Sequence, residues 1–167
     1  FYWLIGVTHR GFADGPGEVR NTFGSNISFR ADVFAKLGGF DVDIGGRKGD
    51  ANLQGGETEL CARMREEYGQ GVWYDPEAEV AHKVFKYRTE FRWLIDRAFW
   101  QGYSKRAMEV LVQDSGGEEG EFVGDLVTEF VPGRVKRLFR SSSLAAVIQL
   151  VMLFVFTGCV GAGYLYG

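Results

Sequence analysis

The sequence is poor in the residues that build metal centres, disulfide frameworks and nucleic-acid surfaces. Among 167 residues there are two cysteines and two histidines, and 22 acidic residues outnumber 19 basic ones. Cys61 and Cys159 do not have paired-cysteine metal spacing, and no disulfide is expected because Cys159 lies in a long apolar run. Both are interpreted as small apolar fillers. The acidic balance argues against a nucleic-acid partner, which requires a basic face.

Charged residues are also absent from one long stretch near the end of the chain. Residues 144–163 read LAAVIQLVMLFVFTGCVGAG, and a membrane-spanning helix needs about 20 predominantly apolar residues. Four basic residues stand just before it, which favours a cytoplasmic location for that side: Arg134, Lys136, Arg137 and Arg140. The sequence therefore predicts a single-pass protein of the cell membrane, with residues 144–165 as the span and the rest cytoplasmic. The alternative is a buried core helix.

What remains is large enough for one packed domain. Hydrophobic residues make up 46% and aromatic residues 15% of the chain, which argues against disorder. We divide the chain into a first domain region (1–113), a linker with an acidic loop, a short helix and a basic segment (114–143), and the membrane helix (144–165).

Hydrophobic periodicity and glycine placement predict the elements of the first two regions. Helices are predicted over 31–37, 58–68, 88–112 and 123–130, the last ending at Pro132-Gly133. Strands are predicted over 1–7, over 72–74 as a buried strand, and on both sides of a turn at 24–26. A long glycine-rich loop is predicted between residues 40 and 56.

Glu57 and Glu59 follow this glycine-rich loop directly and open the predicted helix at 58–68. His82 comes after the predicted strand that follows the helix. A carboxylate at a helix start, reached by a flexible loop and faced by a histidine, is typical of base catalysis at the edge of a cleft.

The order of motifs resembles the C-terminal half of a family 2 glycosyltransferase, and in particular the haloarchaeal dolichyl-phosphate-sugar glycosyltransferases of protein N-glycosylation. The motifs are GSNISFR (24–30), GGFD (38–41), GETELCAR (56–63), YDPEA (74–78) with VAH (80–82), and RAFWQGY (97–103). The fold class that this resemblance implies is α/β, the C-terminal part of a GT-A (Rossmann-like) fold followed by one transmembrane helix.

The resemblance also implies an activity. An inverting enzyme would move a hexosyl or glucuronosyl group from a nucleotide sugar to a polyprenyl- or dolichyl-phosphate-linked glycan. Glu57 occupies the position of the general base, where the family more often has aspartate; the alternative is an idle helix-initial acid. Mg²⁺ or Mn²⁺ would be held mainly by an upstream half with an Asp-x-Asp motif. We therefore expect the chain to be a fragment, inactive alone.

Further roles follow from the resemblance. His82 is interpreted as a metal or diphosphate contact, or else as a structural histidine. Asn26 would shape a turn beneath the donor and acceptor sugars, and Glu59 would be structural. Arg47 and Lys48 are predicted to meet the lipid phosphate of the acceptor. Trp100 and Gln101 are predicted to contact the acceptor or, alternatively, to pack on the loop. Asp41 and Asp43 are interpreted as turn residues.

A non-catalytic alternative stays open at this point. The chain could be a membrane-anchored binding or scaffold module that retains part of a transferase fold. An Asp-x-Asp after an upstream strand in the parent reading frame would favour the enzyme.

Overall fold

A computed structural model describes residues 2–8, 12–111, 124, 126–141 and 143–167. The acidic loop predicted after residue 113 lies outside the described residues, which begin again only after position 123. The described strands are β1 (Gly17–Val19), β2 (Gly46–Lys48), β3 (Ala51–Leu53) and β4 (Val72–Tyr74). The described α-helices are α1 (Ala31–Leu37), α2 (Gly56–Tyr68), α3 (Phe91–Leu111), α4 (Val131–Ser141) and α5 (Leu144–Tyr166).

The strands form two separate two-stranded antiparallel sheets. β1 pairs with β4, with Glu18 opposite Trp73, and β2 pairs with β3 in a hairpin. The hairpin lies inside the segment predicted to be a loop, so that prediction is wrong over 46–53. The strand at 72–74 is confirmed, but Trp73 is 71% exposed because β4 lies in a two-stranded sheet and is not buried.

α1 and α2 form where the sequence predicts them. α1 ends at Gly38, whose φ of 79° places it in the left-handed region where glycine carries no steric penalty. Glu59 is structural: its carboxylate accepts hydrogen bonds from the side chain of Arg63. Arg63 in turn donates to the carbonyl oxygens of Leu37 and Gly39, and so ties the end of α1 to α2.

The first residues form a 3-10 turn, Tyr2–Ile5, and not the predicted strand. Leu4 is fully buried against Ala98 of α3 and Phe156 of α5. One turn is enough to insert this side chain into the core, and no described strand pairs with the segment. The predicted strands around the 24–26 turn are also absent from the described residues, although the turn itself forms, with Asn26 N donating to Phe23 O at 2.9 Å.

α3 starts at Phe91, because Glu90 is extended and residues Lys86–Thr89 form a separate 3-10 turn. One face of α3 packs along α5 at very short range. A Cβ atom placed on Gly102 would lie 1.9 Å from the carbonyl oxygen of Val160, and one placed on Gly163 would lie 1.9 Å from that of Phe99. Glycine at both positions is therefore what allows the two backbones to touch.

The basic segment before α5 is helical. Pro132-Gly133 does not break the chain as predicted, since Pro132 is the second residue of α4, which follows the π-helical turn Leu126–Phe130 directly. A π-helical turn, Leu126–Phe130, precedes α4, and the earlier part of the predicted 123–130 helix is only partly within the described residues. Arg134 donates to Gln149 Oε1 and joins α4 to α5.

α5 is 23 residues long and apolar enough to cross a membrane, and little of it is buried by the described chain. Its outward face exposes large apolar side chains, among them Val151, Phe154 and Leu165. Mixed helix and strand content with one candidate membrane helix is thus confirmed, whereas the GT-A fold stays a prediction.

Candidate functional site

An open polar cavity of about 540 Å³ lies between the start of α2, the turn at 24–26, the N-terminal turn and one face of α3. Polar residues that the sequence analysis singled out meet here with others that it did not. Its polar lining includes the side chains of Glu57, His82, Arg88, Arg97, Gln101 and Ser104.

Glu57 lies in the first turn of α2 and borders the cavity. The helix starts after Gly55, whose φ of 116° only glycine adopts readily, and Glu59 N donates to Gly55 O at 2.9 Å. The Glu57 carboxylate rests against the backbone of Gly24: a Cβ on Gly24 would lie 2.0 Å from Glu57 Oε1. The GSN turn therefore fixes where this carboxylate can sit.

Three buried polar atoms in the described part of the chain have no hydrogen-bond partner. They are Gln54 Nε2, His82 Nδ1 and Gln101 Oε1, and all three residues line this cavity. A buried polar atom left unpaired costs about 1–3 kcal/mol. Because unpaired atoms of this kind are rare in folded proteins, their convergence on one cavity indicates a polar ligand.

Arg97 is a partly buried cation of the site. Its Nε donates to the Leu4 carbonyl oxygen at 3.2 Å, and the side chain lines the cavity. Burial lowers the pKa of Arg97, the nearby charge of Arg88 lowers it further, and the carboxylate of Glu57 opposes both. A guanidinium remains charged under these conditions, so the cavity holds a desolvated positive charge.

Ser104 positions the loop that leads into α2. Its hydroxyl donates to Trp100 O at 2.7 Å and accepts from Gln54 N at 2.8 Å. With 3% of its surface exposed, Ser104 is a buried link between α3 and the residue next to Gly55. A second cavity of about 370 Å³ shares Gln54, Glu57 and Arg97 with the first and opens toward the β2–β3 hairpin.

Cys61, one turn after Glu57 on α2, is fully buried. Burial raises the pKa of its thiol to about 11, and the negative charge of Glu57 adds to the shift. A thiol this weakly acidic is not a nucleophile at neutral pH, which fits the interpretation as an apolar filler.

Several predicted site residues are not among the described residues that line either cavity. Arg47 lies 3.6 Å from Asp96 of α3, and Trp100 donates to the same carboxylate at 3.1 Å. Asn26 donates to Ala78 O at 2.5 Å and ties its turn to the segment after β4. Asp41 accepts from Asp43 N at 2.6 Å within a turn. The side chain of Lys48 lies outside the described part.

A divalent metal does not fit the described residues by themselves. Within them, no three of the histidine, cysteine, aspartate and glutamate side chains come close enough to hold an ion. His82 borders the cavity together with Glu57, but it has no set of co-ligands in these ranges. No step of the chemistry below is assigned to a metal.

Over all 167 residues the chain is 50% identical to the glucosyl-dolichyl phosphate glucuronosyltransferase of Haloferax volcanii. The motif-based resemblance is confirmed. The chain spans about half of that relative's length, 53%. No family model matches the chain, and no solved structure does.

The similarity to a dolichyl-phosphate glycosyltransferase supports the predicted enzyme class. Of the residues predicted from this resemblance, the structure brings Glu57, His82 and Gln101 to one cavity. Sequence reasoning missed Arg88, Arg97 and Ser104. The spacing of Arg97, Gln101 and Ser104 along one helix was the available signal, since residues four and three apart share a face.

Proposed function

We propose that the chain carries the acceptor side of an inverting glycosyltransferase that acts on a lipid-linked sugar. By analogy with the relative's name, the sugar transferred is a glucuronosyl group and the acceptor a glucosyl-dolichyl phosphate. The observation that supports this most directly is the position of Glu57, at a helix start, in a polar cavity, against the bare backbone of Gly24.

In the proposed reaction, Glu57 takes the proton from an acceptor hydroxyl. The oxygen forms a bond to the anomeric carbon of the donor sugar as the bond from that carbon to the nucleoside diphosphate breaks, and the diphosphate leaves with the electron pair. A single displacement of this kind inverts the anomeric configuration. A divalent ion, expected from the family pattern, stays a proposal for the whole enzyme.

Glu57→Gln tests the assignment, because it keeps the shape of the side chain and removes the base. We expect the full-length enzyme to lose transfer by about 10²–10⁴-fold while it still binds the nucleotide sugar. Glu66→Gln, on the exposed side of the same helix, removes an equal charge and is the matched control. Transfer at the wild-type rate by the Glu57→Gln variant would exclude Glu57 as the base.

The proposal places the reaction at the membrane surface. α5 would span the bilayer, with the four basic residues of α4 on the cytoplasmic side, where nucleotide sugars are found. α3 packs on α5, so the cavity on the other face of α3 would stand one helix away from the lipid-facing helix. A lipid-linked acceptor could then reach Glu57 without leaving the membrane.

Val151 and Phe154 test this location, because both face outward and are 53% and 58% exposed. Replacing the two with arginine should release the protein from membranes, since each charge costs about 2.5–3.5 kcal/mol at the centre of a span. Alkaline extraction followed by sedimentation measures the release, with the double leucine variant as the control. Membrane retention of the arginine variant would contradict a span.

A further inference from the structure

Two arginines face the cavity without a carboxylate partner among the described residues. Arg88 contacts the hydroxyl of Tyr87 at 3.5 Å and lies over the ring of Trp93, at 5.8 Å from its centroid. Arg97 uses its Nε to hold the Leu4 carbonyl oxygen, which leaves its terminal nitrogens for the cavity. Guanidinium groups in folded proteins normally meet an acid or a bound anion.

The charge of the cavity is one-sided. Glu57 is the one acid among the described lining residues, which also include the basic Arg88 and Arg97. Arg88 and Arg97 lie close enough for their like charges to repel, and burial of Arg97 strengthens that repulsion by reducing the screening from water. A bound anion with more than one negative charge would relieve it.

Two further polar side chains of the cavity lining suit the same kind of ligand. Gln54 Nε2 is a buried donor without a partner, and His82 Nδ1 is a second buried nitrogen that could supply one. Both residues line the cavity with Arg97. Donors arranged around guanidinium groups match the several acceptor oxygens of a phosphate better than the two of a carboxylate.

We propose that Arg88 and Arg97 form a binding site for a phosphate group of the substrate, which deepens the function proposed above and rests on it for the identity of the ligand. The diphosphate of a nucleotide sugar carries two negative charges and so balances both arginines, whereas the phosphodiester of a lipid-linked sugar carries one. The phosphate could belong to the diphosphate of the sugar donor or to the lipid-linked acceptor. Arg47, predicted for this role from the sequence, is instead 3.6 Å from Asp96.

Direct binding measurements on the detergent-purified full-length protein test the site without any need for turnover. The two probes are inorganic pyrophosphate and a short-chain polyprenyl monophosphate, each titrated by calorimetry. Arg88→Gln and Arg97→Gln should each weaken the binding of at least one probe by about ten-fold or more, the usual effect of losing a charge-assisted hydrogen bond. Arg92→Gln, on an exposed position of α3, is the control and should change it less than about two-fold.

The outcomes separate the two phosphate sources. Loss for pyrophosphate alone assigns the site to the donor, and loss for the polyprenyl phosphate alone assigns it to the acceptor. Unchanged binding of both probes by Arg88→Gln, or an equal loss in Arg92→Gln, would overturn the proposal. The proposal would also be overturned if the arginine variants weakened the binding of free glucuronate and left the binding of both phosphate probes unchanged.

Two safeguards keep the result interpretable. Arg97→Gln also removes a bond to Leu4, so its thermal unfolding midpoint is measured, and Arg88→Gln decides the matter if that variant is unfolded. If Glu57→Gln proves fully active, the proposed base fails, yet the calorimetry still reports whether these arginines hold a phosphate.

Discussion

The two long faces of α3 are built in opposite ways. The face toward the cavity carries Arg97, Gln101 and Ser104, includes the buried and unpaired Gln101 Oε1, and borders open space. The face toward α5 carries Gly102, where the backbones of the two helices meet without room for a methyl group. One helix thus separates a loosely filled polar surface from a fully packed one.

The difference indicates a division of labour within a single helix. Unpaired buried groups lower the free energy of unfolding, and their concentration on this face fits a ligand-binding role. Close backbone packing and the apolar cluster of Leu4, Ala98 and Phe156 stabilise the same helix from the other side. Mutations on the two faces should therefore affect different measurements, stability on one and transfer on the other.

The largest effect is expected from filling the α3–α5 contact. Gly102→Ala or Gly163→Ala places a methyl group 1.9 Å from a carbonyl oxygen of the facing helix, so the two backbones have to separate. We expect a loss of about 3 kcal/mol, the upper end for overpacking, which outweighs the gain of about 1 kcal/mol from alanine's helix propensity. The thermal unfolding midpoint in detergent measures it.

Gly158→Ala and Gly161→Ala are the matched controls. Both glycines lie on α5 with nothing within 4 Å of the added Cβ, so neither variant should lose stability. If all four alanine variants melt alike, the close contact of α3 and α5 contributes nothing special and the contrast between the two faces of α3 disappears.

A smaller and different effect is expected at the cavity. Gly24→Ala directs a methyl group into the Glu57 carboxylate, which can swing away because it ends a flexible side chain. The base would be displaced without unfolding, and a misplacement of about 1 Å can cost roughly 10²-fold in rate. Transfer should fall while the unfolding midpoint stays near that of wild type. Gly15→Ala, with open space around it, should leave both unchanged.

The smallest effect is expected from the polar bond at the edge of the packed face. Tyr164 donates to Glu109 Oε2 at 2.6 Å, and this bond, followed by Arg106, lowers the pKa of Glu109 from its ordinary 4.5. A lowered folded-state pKa stabilises above about pH 4.5, and this stabilisation is lost as pH falls through the folded-state value. Tyr164→Phe should slightly reduce stability at neutral pH and weaken its dependence on acid, with transfer unaffected. A drop in transfer would show that the face of α3 toward α5 also affects activity, which contradicts the separate roles of the two faces.

Helices with clear punctuation could be predicted from the sequence, and short extended segments could not. α1 ends at Gly38 because two glycines follow its last apolar residue, and α5 is fixed by an uninterrupted apolar run. The β2–β3 hairpin could not be predicted, because its glycines are also typical of a loop. The first residues are as apolar as a strand, but a turn buries Leu4 equally well, and only its packing against Phe156 decides between them.

The same limit applies to the site. The sequence predicts Glu57 because motif and helix start coincide, and Gln101 because it lies in a recognisable motif, and both line one cavity. Arg97 was visible in that motif too, but nothing in the sequence says that it lines the same cavity as Glu57. Arg47 is basic and follows a glycine-rich stretch, which suggests phosphate binding, yet the hairpin turns it toward Asp96.

The core shared by Leu4, Ala98 and Phe156 has a practical consequence for handling the protein. Removing the apolar helix is the usual first step toward a water-soluble version of a single-pass enzyme. Here that truncation would strip Phe156 from the core and present the glycine face of α3 to solvent. The helix that carries Arg97, α3, would lose the helix it packs against, so we expect the truncated protein to be inactive. Detergents or nanodiscs are therefore the better route.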